Sequence, residues 1–271
     1  MLPIYYSTSL ICDPILYAIS ENKIEHQLEP KIIPESAILE GLMNGSIPIG
    51  FISPLSYART KGDVFLINDF AIYSPHSGKN SLLFFKGSLE HIDHVFYQTQ
   101  QISGDFERFI ANWVLKETFG ILPQWHEVPE LSLTSKNLEK HEVIFVHGAE
   151  AMDLYPDYEN YVDLGEEWTL NTRLPLVHQV LAVSKLFAER EALERLRLSR
   201  ELGLRNLMKI SKAYAKNHSQ NWDIYFDILT EDYQFYPTVQ VWESLSELMS
   251  MMFYSNVVDY LPDLKIYQEI T

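Results

Sequence analysis

Pro34-Glu35-Ser36-Ala37-Ile38-Leu39-Glu40-Gly41-Leu42-Met43-Asn44-Gly45, followed after Ser46 by Ile47-Pro48-Ile49-Gly50-Phe51-Ile52, is the stretch that decides the fold. Ile38, Leu39 and Leu42 share one face of a helix, with Pro34 placed for its first turn. Asn44-Gly45 breaks that helix, and the apolar run after it reads as a buried strand. Working outward, Val64 to Ile67, Ser81 to Phe85, His94 to Gln98 and Glu142 to His147 are further strand candidates. Between the last two, Phe106, Phe109, Ile110, Trp113 and Val114 fall at helical spacing within Asp105 to Thr118. Strands alternating with helices predict an α/β protein built of βαβ units around a mainly parallel sheet.

From about Ser184 to Asn217 the chain becomes charged, with Leu193, Leu196, Leu204, Leu207 and Ile210 at helical intervals. Gly203 is expected to bend or divide this helix. A last helix carries Val241, Leu245, Leu248 and Met252 on one stripe, together with Met249 and Met251. Such a stripe is expected to pack on the protein's own sheet rather than to serve as a partner surface. No repeat, low-complexity segment or polar linker interrupts the chain. Two lobes without a linker imply that the chain crosses between them on strands and returns. The expected division is a discontinuous first lobe of residues 1–85 and 178–271, holding both termini and the C-terminal helices, and a second lobe of residues 86–177. The ligand is expected in the cleft between them.

Composition narrows the function. The 271 residues include 37 acidic and 21 basic side chains, for a formal charge of −16. A field of that sign repels phosphate backbones and anionic membranes, so neither nucleic acid nor a membrane is expected as partner. Cys12 is the sole cysteine, which excludes an intramolecular disulfide and a cysteine-based zinc site. Met1 to Tyr6 carries no basic n-region or small-residue cleavage site, and no apolar run reaches membrane-spanning length. A cytoplasmic location is the expectation; monomer and dimer both stay open.

The usual chemical motifs are missing. His91 and His94 lie three apart around Asp93, but without an accompanying HExxH pattern they read as a solvated turn before a strand. GxSxG, GxxxxGK[ST] and GxGxxG are absent. The acidic stretch Asp153 to Glu167 lacks EF-hand spacing and reads as a solvated loop leading into a helix. No metal site is expected from these spacings. What remains is a set of hydroxyl residues at strand ends and helix starts: Ser7, Thr8, Ser53, Ser81, Thr99 and Ser103. Strand-to-helix turns are where α/β lobes hold ligands. Ser103, just before the 105–118 helix, stands where backbone N–H groups favour an anion.

Three segments, read in order, resemble the chorismate dehydratase family of menaquinone biosynthesis by the futalosine route. Ile52-Ser53-Pro54-Leu55-Ser56-Tyr57-Ala58-Arg59 is similar to a "PISSxEYAR" stretch. Ala71-Ile72-Tyr73-Ser74, then Gly78 and Ser81-Leu82-Leu83-Phe84, is similar to "SISSxGPVxSVLLF". Val162-Asp163-Leu164-Gly165-Glu166-Glu167-Trp168 with Thr172-Arg173-Leu174-Pro175 resembles "DLGEEW…TGLP", with Arg173 at the usual glycine. His147-Gly148-Ala149-Glu150-Ala151 is similar to "IGDEA", and Leu229-Thr230-Glu231 to "YLTxNIxY". The resemblance implies a type II periplasmic-binding-protein fold and a hydro-lyase that converts chorismate to 3-[(1-carboxyvinyl)oxy]benzoate without a cofactor. It implies Ser81 and Ser7 as catalytic candidates, and Thr8, Ser53, Thr99, Ser103, Glu150 and His147 as substrate-binding ones. The partner it implies is a small anionic, chorismate-like metabolite.

Departures fall in the same places. Tyr5-Tyr6-Ser7-Thr8 stands where the family has "YLNT", so Ser7 replaces an asparagine, and Leu10 stands for the following proline. Gln98-Thr99-Gln100-Gln101-Ile102-Ser103 replaces "TSASAT". Two alternatives therefore stay open. One is the sister enzyme that forms 1,4-dihydroxy-6-naphthoate from a cyclic futalosine derivative, for which Ile144-Phe145-Val146-His147 is similar to "LLIHEG". The other is a non-catalytic cytoplasmic protein that binds a small carboxylate.

Overall fold

A computed structural model describes residues 1–8, 10–87, 89, 92–98, 105–128 and 143–268. Among the described residues ten strands follow in chain order: β1 (Leu2–Tyr6), β2 (Leu28–Ile32), β3 (Ile49–Ile52), β4 (Val64–Ser74), β5 (Ser81–Phe85), β6 (His94–Gln98), β7 (Gln124–Val128), β8 (Val143–His147), β9 (Tyr161–Asp163) and β10 (Leu176–Ser184). They form two five-stranded sheets, ordered β2-β1-β3-β10-β4 and β7-β6-β8-β5-β9. The chain divides into two compact units, Met1–Ser74 with Leu176–Thr271, and Pro75–Pro175.

The deciding stretch folds as read. A helix spans Glu35–Asn44, Pro34 sits just before its first residue, and Gly45 ends it in the left-handed conformation at φ 81°. Ile38 and Leu42 are buried on its inner face. All four residues of β3 are buried, and so are all nine of β10, as befits the inner strands of a sheet covered on both faces.

Neither sheet is mainly parallel. β1 runs parallel to β2 and β3, but β10 is antiparallel to both β3 and β4. In the second sheet β6 is parallel to β7 and β8, whereas β5 is antiparallel to β8 and β9. The reason in the first unit is connectivity. The chain leaves at Ser74 and re-enters at Leu176, which pair with each other, so the returning strand must run against the outgoing one.

The crossing points also correct the expected division at 85/86 and 177/178. Ser81–Phe85 hydrogen-bonds to β8 and β9 and so belongs to the second sheet. The outgoing crossing is therefore at Ser74/Pro75 and the return at Pro175/Leu176.

The charged segment forms two helices, Arg190–Leu204 and Leu207–Tyr214. The division falls just after Gly203, as expected, and Gly203 also has a packing reason. A Cβ there would lie 1.9 Å from the Pro14 carbonyl oxygen, so only glycine lets this helix approach Asp13–Ser20. In the last helix, Val239–Tyr254, the residues Val241, Leu245, Leu248, Met249 and Met252 are all buried.

The second unit has its own core. Leu82, Phe84, Ile144, Val146 and Ala151 pack together on one face of β5 and β8. By the alternation of strands, Ser81, Leu83, Phe145 and His147 occupy the opposite face. The helices Asp105–Phe119 and Leu164–Thr172 meet through Trp113 and Trp168, whose ring centroids are 5.2 Å apart.

Candidate functional site

In the first unit, β2, β1 and β3 lie side by side and parallel, so their C-terminal ends open at one edge. This is where open α/β sheets bind ligands. Ser7 and Thr8 follow β1, Ser53 follows β3, and Glu35 opens the helix that follows β2. The sequence offered no sign of Glu35, because an acid in a first helical turn is ordinary.

The Glu35 carboxylate organises this edge. Its Oε1 accepts hydrogen bonds from the Ser53 backbone N–H (3.0 Å), the Ser53 hydroxyl (2.5 Å) and the Ser56 hydroxyl. Its Oε2 accepts from the Ser7 hydroxyl at 3.5 Å. Ser53 Oγ also accepts from the Ser56 N–H (3.2 Å), capping the short helix Pro54–Ala58. A serine hydroxyl has one proton to give. Ser53 gives it to Glu35. Thr8 Oγ1 lies 3.6 Å from Cys12 Sγ, and burial pushes that thiol upward in pKa. Burial also raises the Asp13 carboxyl to about 6.

The second unit brings Ser81 and His147 together. Ser81 opens β5, His147 closes β8, and the two face each other in the antiparallel register. Both are buried, at 3% and 8% exposure. The Ser81 hydroxyl donates to Asn80 Oδ1 at 3.3 Å. The His147 ring stacks near Phe145, with centroids 6.0 Å apart and 18° between planes. Its Nε2 is buried with no hydrogen-bond partner. Burial lowers its pKa to about 4, so the imidazole is neutral at pH 7. The chain then turns at Gly148 (φ 71°), whose N–H donates to the Asn80 carbonyl at 2.6 Å. Glu150 lies in the first turn of the helix Ala149–Leu154 and is half-buried. Thr99 and Ser103 lie outside the described residues.

Asp163, part of the expected acidic loop, is instead buried at the end of β9. Its carboxylate accepts from the N–H groups of Gly165 (2.8 Å) and Glu166 (3.2 Å), capping the helix Leu164–Thr172. It also accepts from those of Gly78 (3.2 Å) and Lys79 (2.9 Å). One carboxylate thus fixes the segment that leads into Ser81.

His94, read both at the end of a solvated turn and as the start of the His94–Gln98 strand, opens β6, and its Nδ1 sits 2.9 Å from His126 Nε2 on β7. His91 lies outside the described residues. Among the described residues, no three His, Cys, Asp or Glu side chains gather as metal ligands, and no helix is long and apolar enough to cross a membrane. Two cavities in the first unit, about 600 and 580 Å³, are floored by Phe187 with Tyr267 and by Tyr17 with Tyr214. Neither is lined by Ser7, Thr8 or Ser53. The hydrogen-bond chemistry, rather than cavity size, marks the candidate site.

Known structures share the fold at low identity. A protein from Archaeoglobus fulgidus matches at TM-score 0.72 and 15% identity, covering 94% of this chain and 98% of its own. An ABC transporter from Parabacteroides distasonis matches at TM-score 0.68 and 13% identity, covering 100% and 99%. The periplasmic aliphatic sulphonate binding protein of Escherichia coli matches at TM-score 0.65 and 14% identity, covering 99% and 92%. The fold is that of the periplasmic binding proteins. A sequence family described as menaquinone biosynthesis matches residues 6–253. With nearly its whole length matched, the chain belongs to the menaquinone biosynthesis family.

Proposed function

We propose that the protein is a carbon–oxygen lyase that removes water from chorismate, giving 3-[(1-carboxyvinyl)oxy]benzoate for menaquinone biosynthesis in the cytoplasm. The observation that carries this reading is the pairing of Ser81 with His147 across one rung of the second sheet. Ser81 is the serine that the family motif places before its "VLLF" run. The reaction breaks the C4–O bond and a ring C–H bond, releases one water and leaves an aromatic ring. Much of the driving force therefore resides in the substrate. The protein has to fix two carboxylates, exclude bulk water and orient the leaving hydroxyl.

Uncharged groups suit that task. The Ser81 hydroxyl and the neutral His147 imidazole present hydrogen-bonding atoms without adding charge. Ser7 takes the place of the family's asparagine, and Thr8, Thr99, Ser103 and Glu150 complete the proposed contacts. A small anionic ligand also agrees with the Escherichia coli neighbour, described as an aliphatic sulphonate binding protein.

One observation favours the sister reaction on a cyclic futalosine derivative. The His147 Nε2 is buried, uncharged and without a partner, as an acid/base group awaiting its substrate would be. Incubation of the purified protein with chorismate, followed by chromatography with mass detection, separates the readings. Loss of one water above the no-enzyme rate supports the dehydratase. Unchanged chorismate with folded protein sinks it, and turnover of the cyclic futalosine derivative would then assign the sister reaction. Thermal stabilisation by ligand without product would leave a silent binder.

A further inference from the structure

We infer that Glu35 is a positioning residue that sets the polarity of the first unit's strand-end site, so that it accepts a hydrogen bond from a ligand hydroxyl and disfavours a ligand carboxylate. The inference rests on the reading that these strand ends hold the substrate. Glu35 is buried at 8% exposure, and its neighbours are hydroxyls rather than cations. Its Oε1 already has three donors, two from Ser53 and one from Ser56. Its Oε2 has the Ser7 hydroxyl at 3.5 Å, well beyond the ordinary O–H···O separation of about 2.8 Å.

The consequence follows from proton counting. Ser53 and Ser56 have both given their single protons to Glu35, and the carboxylate draws the Ser7 proton the same way. What these side chains offer outward is lone pairs. A ligand hydroxyl can donate to Ser7 Oγ and tighten its contact with Glu35, since chained hydrogen bonds polarise one another. A ligand carboxylate would meet lone pairs and a negative charge. The ring hydroxyl that departs, rather than either carboxylate, is therefore the group read by the first unit. The aromatic product has lost that hydroxyl and is discriminated against, which favours its release.

The test compares chorismate with 3-[(1-carboxyvinyl)oxy]benzoate in the wild type, Glu35→Gln and Ser7→Ala. Glu35→Gln keeps the shape of the side chain, but the new amide donates, which frees the Ser7 proton. Ser7→Ala leaves the bonds of Glu35 to Ser53 and Ser56 intact and so guards against misfolding of the first variant. In both variants the KM for chorismate should rise about fivefold or more, the worth of one hydrogen bond. The inhibition constant of the product should stay within about twofold. A merely structural role would move both constants together, and that outcome, or no change in either, overturns the inference. If the wild type does not turn over chorismate, the lyase reading fails on its own, and calorimetric Kd values for the same two compounds replace the kinetic constants. Equal affinity for the two compounds, or binding of neither, would then overturn the inference as well.

Discussion

Ser74 Oγ lies 2.9 Å from His178 Nε2, and both residues are buried, at 0% and 2% exposure. They sit on the neighbouring strands β4 and β10 where the pairing slips. Val177 faces Tyr73 and Gln179 faces Ile72, which leaves His178 as the extra residue of a bulge. Bulges re-aim side chains, and this one turns the imidazole onto Ser74 and against the Tyr233 ring, 5.2 Å away. His178→Ala removes the ring and leaves the Ser74 hydroxyl buried without that partner. Cavity and unsatisfied hydroxyl together should cost about 3 kcal/mol, read from the urea midpoint. A loss under about 0.5 kcal/mol would show that the site collapses or takes in water.

Two histidines make stability fall with acid. Burial lowers His178 to about 3 and His147 to about 4, below the ordinary value of 6.5. A depressed folded-state pKa means that the unfolded chain binds more protons in that window. Stability is then complete above pH 6.5 and is lost as pH falls toward 4. Asp13 acts in the opposite sense. Its carboxyl is raised to about 6 by burial, so its contribution is greatest below about 4 and is lost as pH rises through 6. The two histidines outweigh one carboxyl, and the urea midpoint should drop steadily between pH 6.5 and 4. In a His178→Gln variant the slope should shrink. A flat wild-type profile would mean that both rings stay near their ordinary pKa.

Asp163 should be the costliest carboxylate to remove from the second unit. Asp163→Ala strips acceptors from four backbone N–H groups, two of them in the 78–79 turn before Ser81. The loss of the helix cap alone is worth ~1 kcal/mol, and the stranded turn N–H groups add to it, for roughly 2–4 kcal/mol. Asp163→Asn keeps one acceptor oxygen and should lose about half as much. Amide exchange should rise at Gly78 and Lys79 in the alanine variant. Unchanged protection there would disconnect the turn from this carboxylate.

Arg173 occupies a left-handed position, φ 60° and ψ 21°, at the end of the helix Leu164–Thr172. Glycine, the usual residue at this point of the resembling motif, takes that conformation without strain. Arg173→Gly should therefore stabilise the protein by about 1 kcal/mol, measured as a higher melting temperature. A lower one would mean that the arginine side chain contributes more than its backbone costs.

Ser81→Ala tests the proposed chemistry directly. Dehydration of chorismate should fall by roughly 100-fold in kcat/KM, the scale seen when one positioned hydrogen-bond donor is removed from an active site. His147→Ala should abolish turnover of the cyclic futalosine derivative if the sister reaction is the true one. Full dehydratase activity in Ser81→Ala would remove that serine from the mechanism.

The α/β class and the helix–strand alternation were legible because hydrophobic period and turn residues are local signals. Ile38 and Leu42 face inward and Gly45 stops the helix, as the sequence alone requires. Ser81 and His147 were singled out for a different reason, the order of short motifs along the chain, and the structure places them opposite each other on β5 and β8. Strand direction and the true crossing points were not legible, because Ser81–Phe85 reads the same in either sheet; hydrogen bonds to residues some sixty to eighty positions away decide it. Glu35 was invisible for the same reason. Its partners Ser7, Ser53 and Ser56 are 28, 18 and 21 residues distant. Sequence determined the helix at 35–44, the strands around 49–52, 64–67, 81–85, 94–98 and 143–147 and the later helices, but not β2, β7, β9 or β10. Only the tertiary structure decided where each hydroxyl's single proton goes, because that depends on which acceptor the fold brings within reach.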